Sequence, residues 1–258
     1  MYEGVDTSSN NNGGTGLVNF DAVRISGRAF AMVRVGYGLR STSGFSGYIS
    51  KSFVQQLKNA QAAGLDTGVY WYSRAVNEEQ ARIEADACLK AIAPYQLTYP
   101  VAFDQEYDGQ IMALTRQKRT NICIAFLEEV RRQGYYPMMY ASKDWYENWI
   151  YDSQLQKYDH WVAQYADRLT YQGETSIWQY SGSGSIPGVT GAIDLDVSYK
   201  DYPTIIREGG YNHLTPVGTD YKALYEAERA RNRALISGMQ SLIDQYQGRR
   251  NTNAAFAF

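Results

Sequence analysis

Two carboxylates one residue apart, Asp104 and Glu106, close the apolar run Tyr99-Pro100-Val101-Ala102-Phe103. In an extended strand side chains alternate between faces, so both acids point the same way, with Cα atoms about 6.6 Å apart. Carboxylates held side by side cannot both ionise freely, and one keeps its proton to higher pH. A proton-bearing acid beside a carboxylate is the equipment for cleaving a glycosidic bond. A lone Asp-x-Glu is more often a solvated strand end, so the weight rests on where the other acids fall. Asp6 closes Tyr2-Glu3-Gly4-Val5, and Asp194 and Asp196 share one face of Ala192-Ile193-Asp194-Leu195-Asp196-Val197. Acids thus mark a first, a middle and a last strand. A closed parallel barrel joins its first and last strands and gathers catalytic groups at the strands' carboxyl ends.

The elements that must position these acids are legible from periodicity and punctuation. Phe30–Val35 reads as a second strand ending at Gly36-Tyr37-Gly38, Thr67–Tyr72 as a third and Tyr135–Tyr140 as a fifth, after the Asp104/Glu106 strand. Lys51–Ala63 is helical by the spacing of Phe53, Leu57 and Ala60 and stops at Gly64; Glu78–Ala93 is capped by Asn77; Thr115–Gln133 ends at Gly134. A short helix lies around Asp144–Trp149. Trp161–Tyr165, Ser176–Tyr180 and Ile193–Ser198 then follow as strands with no long helix between them. The expected fold is α/β: a modified TIM-like barrel of five strand-helix units and three further strands. Residues 1–208 form the barrel, and 209–258 form an extension with a C-terminal helix over Thr219–Gln247. Tyr221, Leu224, Leu235, Met239, Leu242 and Tyr246 stripe that helix, which either packs back on the barrel or serves oligomerisation or docking.

Composition narrows the function classes. The net charge is −2, with no basic footprint for nucleic acid. No apolar run is long enough to span a bilayer, so no membrane insertion is expected. The N-terminus lacks a basic-then-apolar leader. Cys88 and Cys123 fall in helices and read as buried free thiols; His160 and His213 are isolated, so no zinc spacing exists. Asn10–Gly16 lacks the spacing and the Lys of a phosphate loop and reads, like Ser181–Ser185, as a flexible loop. The 23 tyrosines and five tryptophans suit both packing and sugar stacking.

Taken in order, Gly4-Val5-Asp6-Thr7-Ser8, Val33-Arg34-Val35-Gly36-Tyr37-Gly38, Gly68-Val69-Tyr70-Trp71-Tyr72-Ser73 and Pro100 to Glu106 resemble glycoside hydrolase family 25, the Chalaropsis-type lysozymes of bacteria and phages. Tyr140-Ala141-Ser142, Trp161 to Tyr165, Ile177-Trp178-Gln179-Tyr180 and Ile193 to Asp196 continue the likeness over roughly residues 2–200. The resemblance implies an N-acetylmuramidase that hydrolyses the β-1,4 bond between N-acetylmuramic acid and N-acetylglucosamine in peptidoglycan, with no cofactor. It implies Glu106 as general acid, Asp104 as its partner, and Asp6 and Asp194 as further active-site acids, Asp194 being favoured over Asp196. Retention with help from the substrate's acetamido group is the mechanism it favours. Tyr37, Tyr70, Tyr72, Gln164, Trp178 and Asp196 are the candidate substrate-binding residues, with a packing role equally open for Tyr37, Tyr70, Tyr72 and Trp178. The expected place of action is the bacterial cell wall, reached after phage lysis, with a particle, or as a mature secreted form. A chitinase-like hydrolase and a catalytically silent wall-binding or phage-tail protein are the alternatives.

Overall fold

The computed structural model describes residues 1–14, 17–42 and 44–215, together with Glu226, Arg229, Asn232, Arg233, 236–240 and Ile243. The chain divides into two compact units, Met1–Thr215 and Pro216–Phe258.

Nine strands form the first unit's sheet: β1 (Tyr2–Thr7), β2 (Phe30–Ser41), β3 (Gly44–Ile49), β4 (Asp66–Tyr72), β5 (Val101–Asp104), β6 (Pro137–Ser142), β7 (Asp159–Ala163), β8 (Ile177–Gly184) and β9 (Ile193–Ser198). Their order is β1-β9-β8-β7-β6-β5-β4-β2-β3, and an additional β1–β2 pairing closes eight of them into a barrel. The helices are α1 (Asn11–Gly14), α2 (Phe20–Ile25), α3 (Phe53–Ala62), α4 (Glu78–Ile92), α5 (Gly109–Met112), α6 (Arg116–Arg132) and α7 (Tyr202–Glu208), with a π-helical turn at Trp145–Trp149. The expected strand-helix units and three further strands are present. Asn77 caps α4 by accepting from the Gln80 N–H, Thr115 caps α6 by accepting from Lys118 N–H, and Gly64 and Gly134 end α3 and α6 in the left-handed region.

Alternation sorts the strand side chains into two cores. Val33, Val35, Trp71, Phe103 and Met139 face outward and pack under the helices. Phe30, Met32, Tyr70, Ala102, Met138, Trp161 and Ile177 fill the barrel interior. The barrel floor is sealed by Tyr99, α7 (Tyr202, Ile206) and Leu214. Beside them Asn212, buried and left-handed at φ 53°, donates to the carbonyls of Leu97 (2.8 Å) and Tyr99 (3.0 Å) and accepts from Tyr136 N–H (2.9 Å). Residues 209–215, grouped with the extension on composition, therefore pack in the first unit.

Four features differ from the sequence reading. The closing strand β9 runs antiparallel to both β8 and β1, so Asp194 reaches the barrel mouth from the amino end of its strand. A tight β8–β9 reversal without a helix permits no other direction. β8 runs on through Gly184, so much of the expected Ser181–Ser185 loop is strand. β3, unread because Gly44, Ser46 and Gly47 look like turn residues, pairs antiparallel with the far half of β2. Asn11–Gly14 forms one helical turn in place of open loop.

In the second unit, the described residues Glu226, Arg229, Asn232, Arg233, 236–240 and Ile243 are helical and exposed. Of the expected stripe, Tyr221, Leu224, Leu235, Leu242 and Tyr246 lie outside the described residues. Among the described residues no helix is long and apolar enough to cross a membrane.

Candidate active site

Interior positions at the upper ends of the strands supply the site. Asp104 is the last residue of β5, in register with Tyr72 on β4 and Tyr140 on β6. Asp6 on β1 pairs directly with Asp194 on β9. Glu106 lies past the end of β5, not within it, yet the alternation persists. Gln105, fully buried, turns outward, where its Oε1 accepts from Trp145 Nε1 (3.1 Å) and Cys123 Sγ (3.3 Å). That anchor leaves Asp104 and Glu106 on the inner side. A one-residue bulge acts likewise on β2: Arg34 pairs with Tyr70, but Gly36 pairs with Trp71 and Tyr37 with Tyr72. With Val35 in regular alternation and no bulge, Tyr37 would face the helices. Gly36 is required there, because a Cβ would sit 2.0 Å from the Tyr48 carbonyl oxygen.

The result is a groove of about 580 Å³ lined by Asp6, Asp104, Glu106 and Asp194, by Tyr37, Tyr70 and Tyr72, and by Ser8, Ser9, Asn10, Arg34, Arg74, Tyr140, Trp161, Tyr165 and Gln179. A second hollow of about 260 Å³, lined also by Gln105, Tyr107, Ser142 and Ala163, shares Glu106, Tyr140 and Tyr165 with it. Glu106 thus stands at the boundary of two adjoining spaces.

Hydrogen bonds fix the acids' neighbours. Gln179 Nε2 donates to Asp6 Oδ2 (2.6 Å), while its Oε1 accepts from the hydroxyls of Tyr140 (3.0 Å) and Tyr165 (3.1 Å). Trp161 Nε1 donates to Asp196 Oδ1 (2.8 Å). Arg34 Nη2 donates to Ser9 Oγ (2.8 Å). Asp104 Oδ1, buried, has no partner in the protein. A buried carboxylate oxygen left unpaired is costly, and such an oxygen facing a groove is an acceptor waiting for a ligand N–H or O–H.

Charge and burial push the acids' pKa values upward. Burial raises Asp104 well above the ordinary carboxylate range, Glu106 adds to the rise, and Arg34 opposes it. Burial also raises Glu106, followed by the charge of Asp194, again against Arg34. Asp6 is raised by burial and then by Asp194 and Asp196. Tyr72 is pushed up to about 12 by burial and then by Glu106 and Asp104. Acids this close and this buried cannot all ionise together, so the mouth keeps a proton at pH values where free acids have lost theirs.

Of the sequence candidates, Asp6, Asp104, Glu106, Asp194, Tyr37, Tyr70 and Tyr72 share the groove. Three do not. Gln164 ties its own loop, donating to Thr170 Oγ1 (2.9 Å) and accepting from Thr170 N–H (2.9 Å). Trp178 has the outward parity of its strand and lines a different, shallow hollow with Glu3 and Tyr180. Asp196 is fully buried beneath Trp161. Residues passed over include Arg34, Gln179, Trp161, Tyr140 and Arg74. Strand parity was the available signal: Gln179 is two residues from the inward Ile177, and Arg34 two from the inward Met32.

The model for "Glycosyl hydrolases family 25" matches residues 5–189. The autolytic lysozyme of Clostridium acetobutylicum is 29% identical over 196 residues, covering 75% of this chain; the chain spans only 55% of that protein's length. Among solved structures, the CTP1L endolysin superimposes with a TM-score of 0.65 at 22% identity, over 80% of this chain and 69% of that one. The modular autolysin LytC from Streptococcus pneumoniae, in complex with a synthetic peptidoglycan ligand, superimposes with a TM-score of 0.63 at 23% identity, over 77% of this chain and 46% of that one. At these identities the superpositions speak for the fold.

Proposed function

The chain belongs to glycosyl hydrolase family 25, and on that premise we propose that it is an N-acetylmuramidase acting on the glycan strands of bacterial cell-wall peptidoglycan. The observation that carries the reading is the pairing of Glu106, its pKa raised and its position at the boundary of two spaces, with a buried Asp104 whose Oδ1 is unpaired.

In this reading the muramoyl sugar occupies the larger groove and the leaving sugar the smaller hollow, so the glycosidic oxygen falls beside Glu106. Glu106 donates its proton to that oxygen as the bond to the anomeric carbon lengthens and oxocarbenium character develops. The Asp104 carboxylate accepts the acetamido N–H and turns the acetamido oxygen toward the anomeric carbon. That oxygen closes an oxazolinium ring on the side opposite the departing sugar. Water then opens the ring, giving up its proton to the Glu106 carboxylate and restoring the acid. Asp6 and Asp194 add negative potential to a site that must stabilise a cationic sugar; Gln179, held by Tyr140 and Tyr165, keeps Asp6 oriented. Residues 1–215 are the catalytic module in this proposal. The second unit, whose Ile236, Met239 and Ile243 are exposed on helical spacing, serves delivery or assembly.

The test is Glu106→Gln assayed on purified peptidoglycan, with mass spectrometry of the products. The wild type is expected to release fragments ending in a reducing muramic acid, and the variant to lose about 10²–10⁴-fold in rate with its melting temperature kept. Reducing glucosamine ends, or a variant retaining more than about a tenth of wild-type rate against that expected loss, would refute the assignment.

A further inference from the structure

We propose that Arg74, together with Tyr37 and Tyr72, forms a carboxylate-binding subsite in the groove, selecting glycan that bears an acidic substituent. The inference rests on the muramidase reading and adds to it a recognition element. Arg74 follows β4, and its guanidinium lies over the rings of Tyr37 (5.1 Å to the centroid) and Tyr72 (5.9 Å). All three residues line the groove.

The backbone at Arg74 is clamped on both sides. Its N–H donates to Glu84 Oε1 (2.8 Å), and its carbonyl accepts from Arg40 Nη2. Glu84, fully buried on α4, also accepts from Ser73 Oγ (2.7 Å). Gly38 makes room for that carboxyl: a Cβ there would sit 2.0 Å from Glu84 Oε1. Two walls of the fold thus fix where the arginine starts and which aromatic faces it crosses.

The neighbouring cations have other duties. Arg40 is paired with Asp108 at 3.2 Å. Arg34 bonds Ser9 and is the cation that bears on both Asp104 and Glu106. Among the described residues Arg74 has no carboxylate partner, and its buried Nε has no acceptor. A planar guanidinium held between aromatic faces with a free hydrogen-bonding fork is built to take a carboxylate through two parallel bonds. The glycan offers that group in two forms. One is the free carboxyl of the lactyl ether on each muramoyl sugar. The other is the acidic residues of a stem peptide joined to that lactyl group.

Binding can be measured without turnover in the full chain carrying Glu106→Gln, by calorimetry against three soluble glycans. These are a peptide-free glycan with free lactyl carboxyls, the same glycan with those carboxyls converted to methylamides, and a peptide-bearing glycan. The acidic form is expected to bind about tenfold more tightly than the methylamide, the effect of a hydrogen-bonded charge pair. Adding Arg74→Gln should bring that ratio close to one, and Arg74→Lys should leave an intermediate ratio; methylamide binding serves as the folding control. Peptide-bearing glycan matching the acidic form would make stem carboxylates ligands too, and matching the methylamide would make the free lactyl group the ligand. Equal binding of acidic and methylamide forms, or a preference that survives Arg74→Gln, overturns the subsite alone. Failure to bind any of the glycans, with no hydrolysis of them by the wild type, overturns the muramidase reading and the subsite with it.

Discussion

Replacing Asn212 with alanine tests how far the barrel depends on its floor. The Asn212 side chain serves three main-chain groups: it donates to Leu97 O and Tyr99 O and accepts from Tyr136 N–H. Alanine leaves that N–H buried without a partner, at about 1–3 kcal/mol, and removes two further bonds at about 1 kcal/mol each. It must also hold φ near 53°, where a Cβ without a local polar group costs about 1 kcal/mol. The sum is about 4–6 kcal/mol. In a unit of this size 1 kcal/mol moves the midpoint by about 2–4 °C, so the melting temperature should drop by about 10 °C or more. Asn212→Gly loses the same bonds but not the backbone comfort, and should melt about 2–4 °C above the alanine variant. Calorimetry of the full chain measures both, and hydrolysis per folded molecule at 25 °C should match wild type because the groove is at the other end of the barrel. A loss under about 3 °C for alanine, against the range just given, would refute the role assigned to these bonds.

Two further outcomes are expected. A chain ending at Thr215 should melt close to the intact protein's first transition, whereas one ending at Glu208, lacking Asn212 and Leu214, should melt lower by about as much as Asn212→Ala or more; equal melting of the two truncations would refute the boundary. Asp196→Asn should raise stability at neutral pH. Burial, opposed by the Trp161 bond, lifts the folded-state pKa of Asp196 well above its unfolded value. The folded protein therefore binds the extra proton between those two values, and stability falls as pH rises through that window. Asparagine keeps an oxygen for Trp161 Nε1 without the charge, so its advantage should be present at pH 7 and vanish as pH falls below about 4. Melting scans at the two pH values decide it, and an advantage unchanged between them refutes the linkage.

Much of this was legible because it follows from period and punctuation. Helices α4 and α6 have side-chain caps, α3 and α6 have glycine stops and all three have an apolar stripe, and the interior and exterior of the barrel follow the two-residue period of its strands. What escaped was set by events that depend on other parts of the chain. The bulge at Val35 turns Tyr37 inward, and nothing in Val33–Gly38 announces it. β3 pairs through main-chain groups, so its Gly and Ser residues are no obstacle, and Gly47 is needed because a Cβ would meet Ala87 at 2.3 Å. Chemical preference and parity diverge at Trp178, an aromatic candidate for sugar contact whose neighbour Gln179 carries the inward position. The gathering of the four acids in one groove, by contrast, was legible, because an acid that closes or interrupts an apolar strand run is placed there at a cost.

The pairing of Asp6 with Asp194 also sets when the site can exist during synthesis. Of the nine strands β1 is made before the others and can pair early with β2, but its other edge waits for β9. Gln179, which orients Asp6, lies 173 residues downstream of it. Chains are made from the N-terminus at about 5–20 residues per second, so between the synthesis of Glu106 and that of Asp194, 88 residues later, the nascent polypeptide carries Asp104 and Glu106 without the wall that faces them. The groove is complete only when the last strand docks and the floor residues behind it seal the barrel. A chain terminated before β9 lacks the strand that carries Asp194.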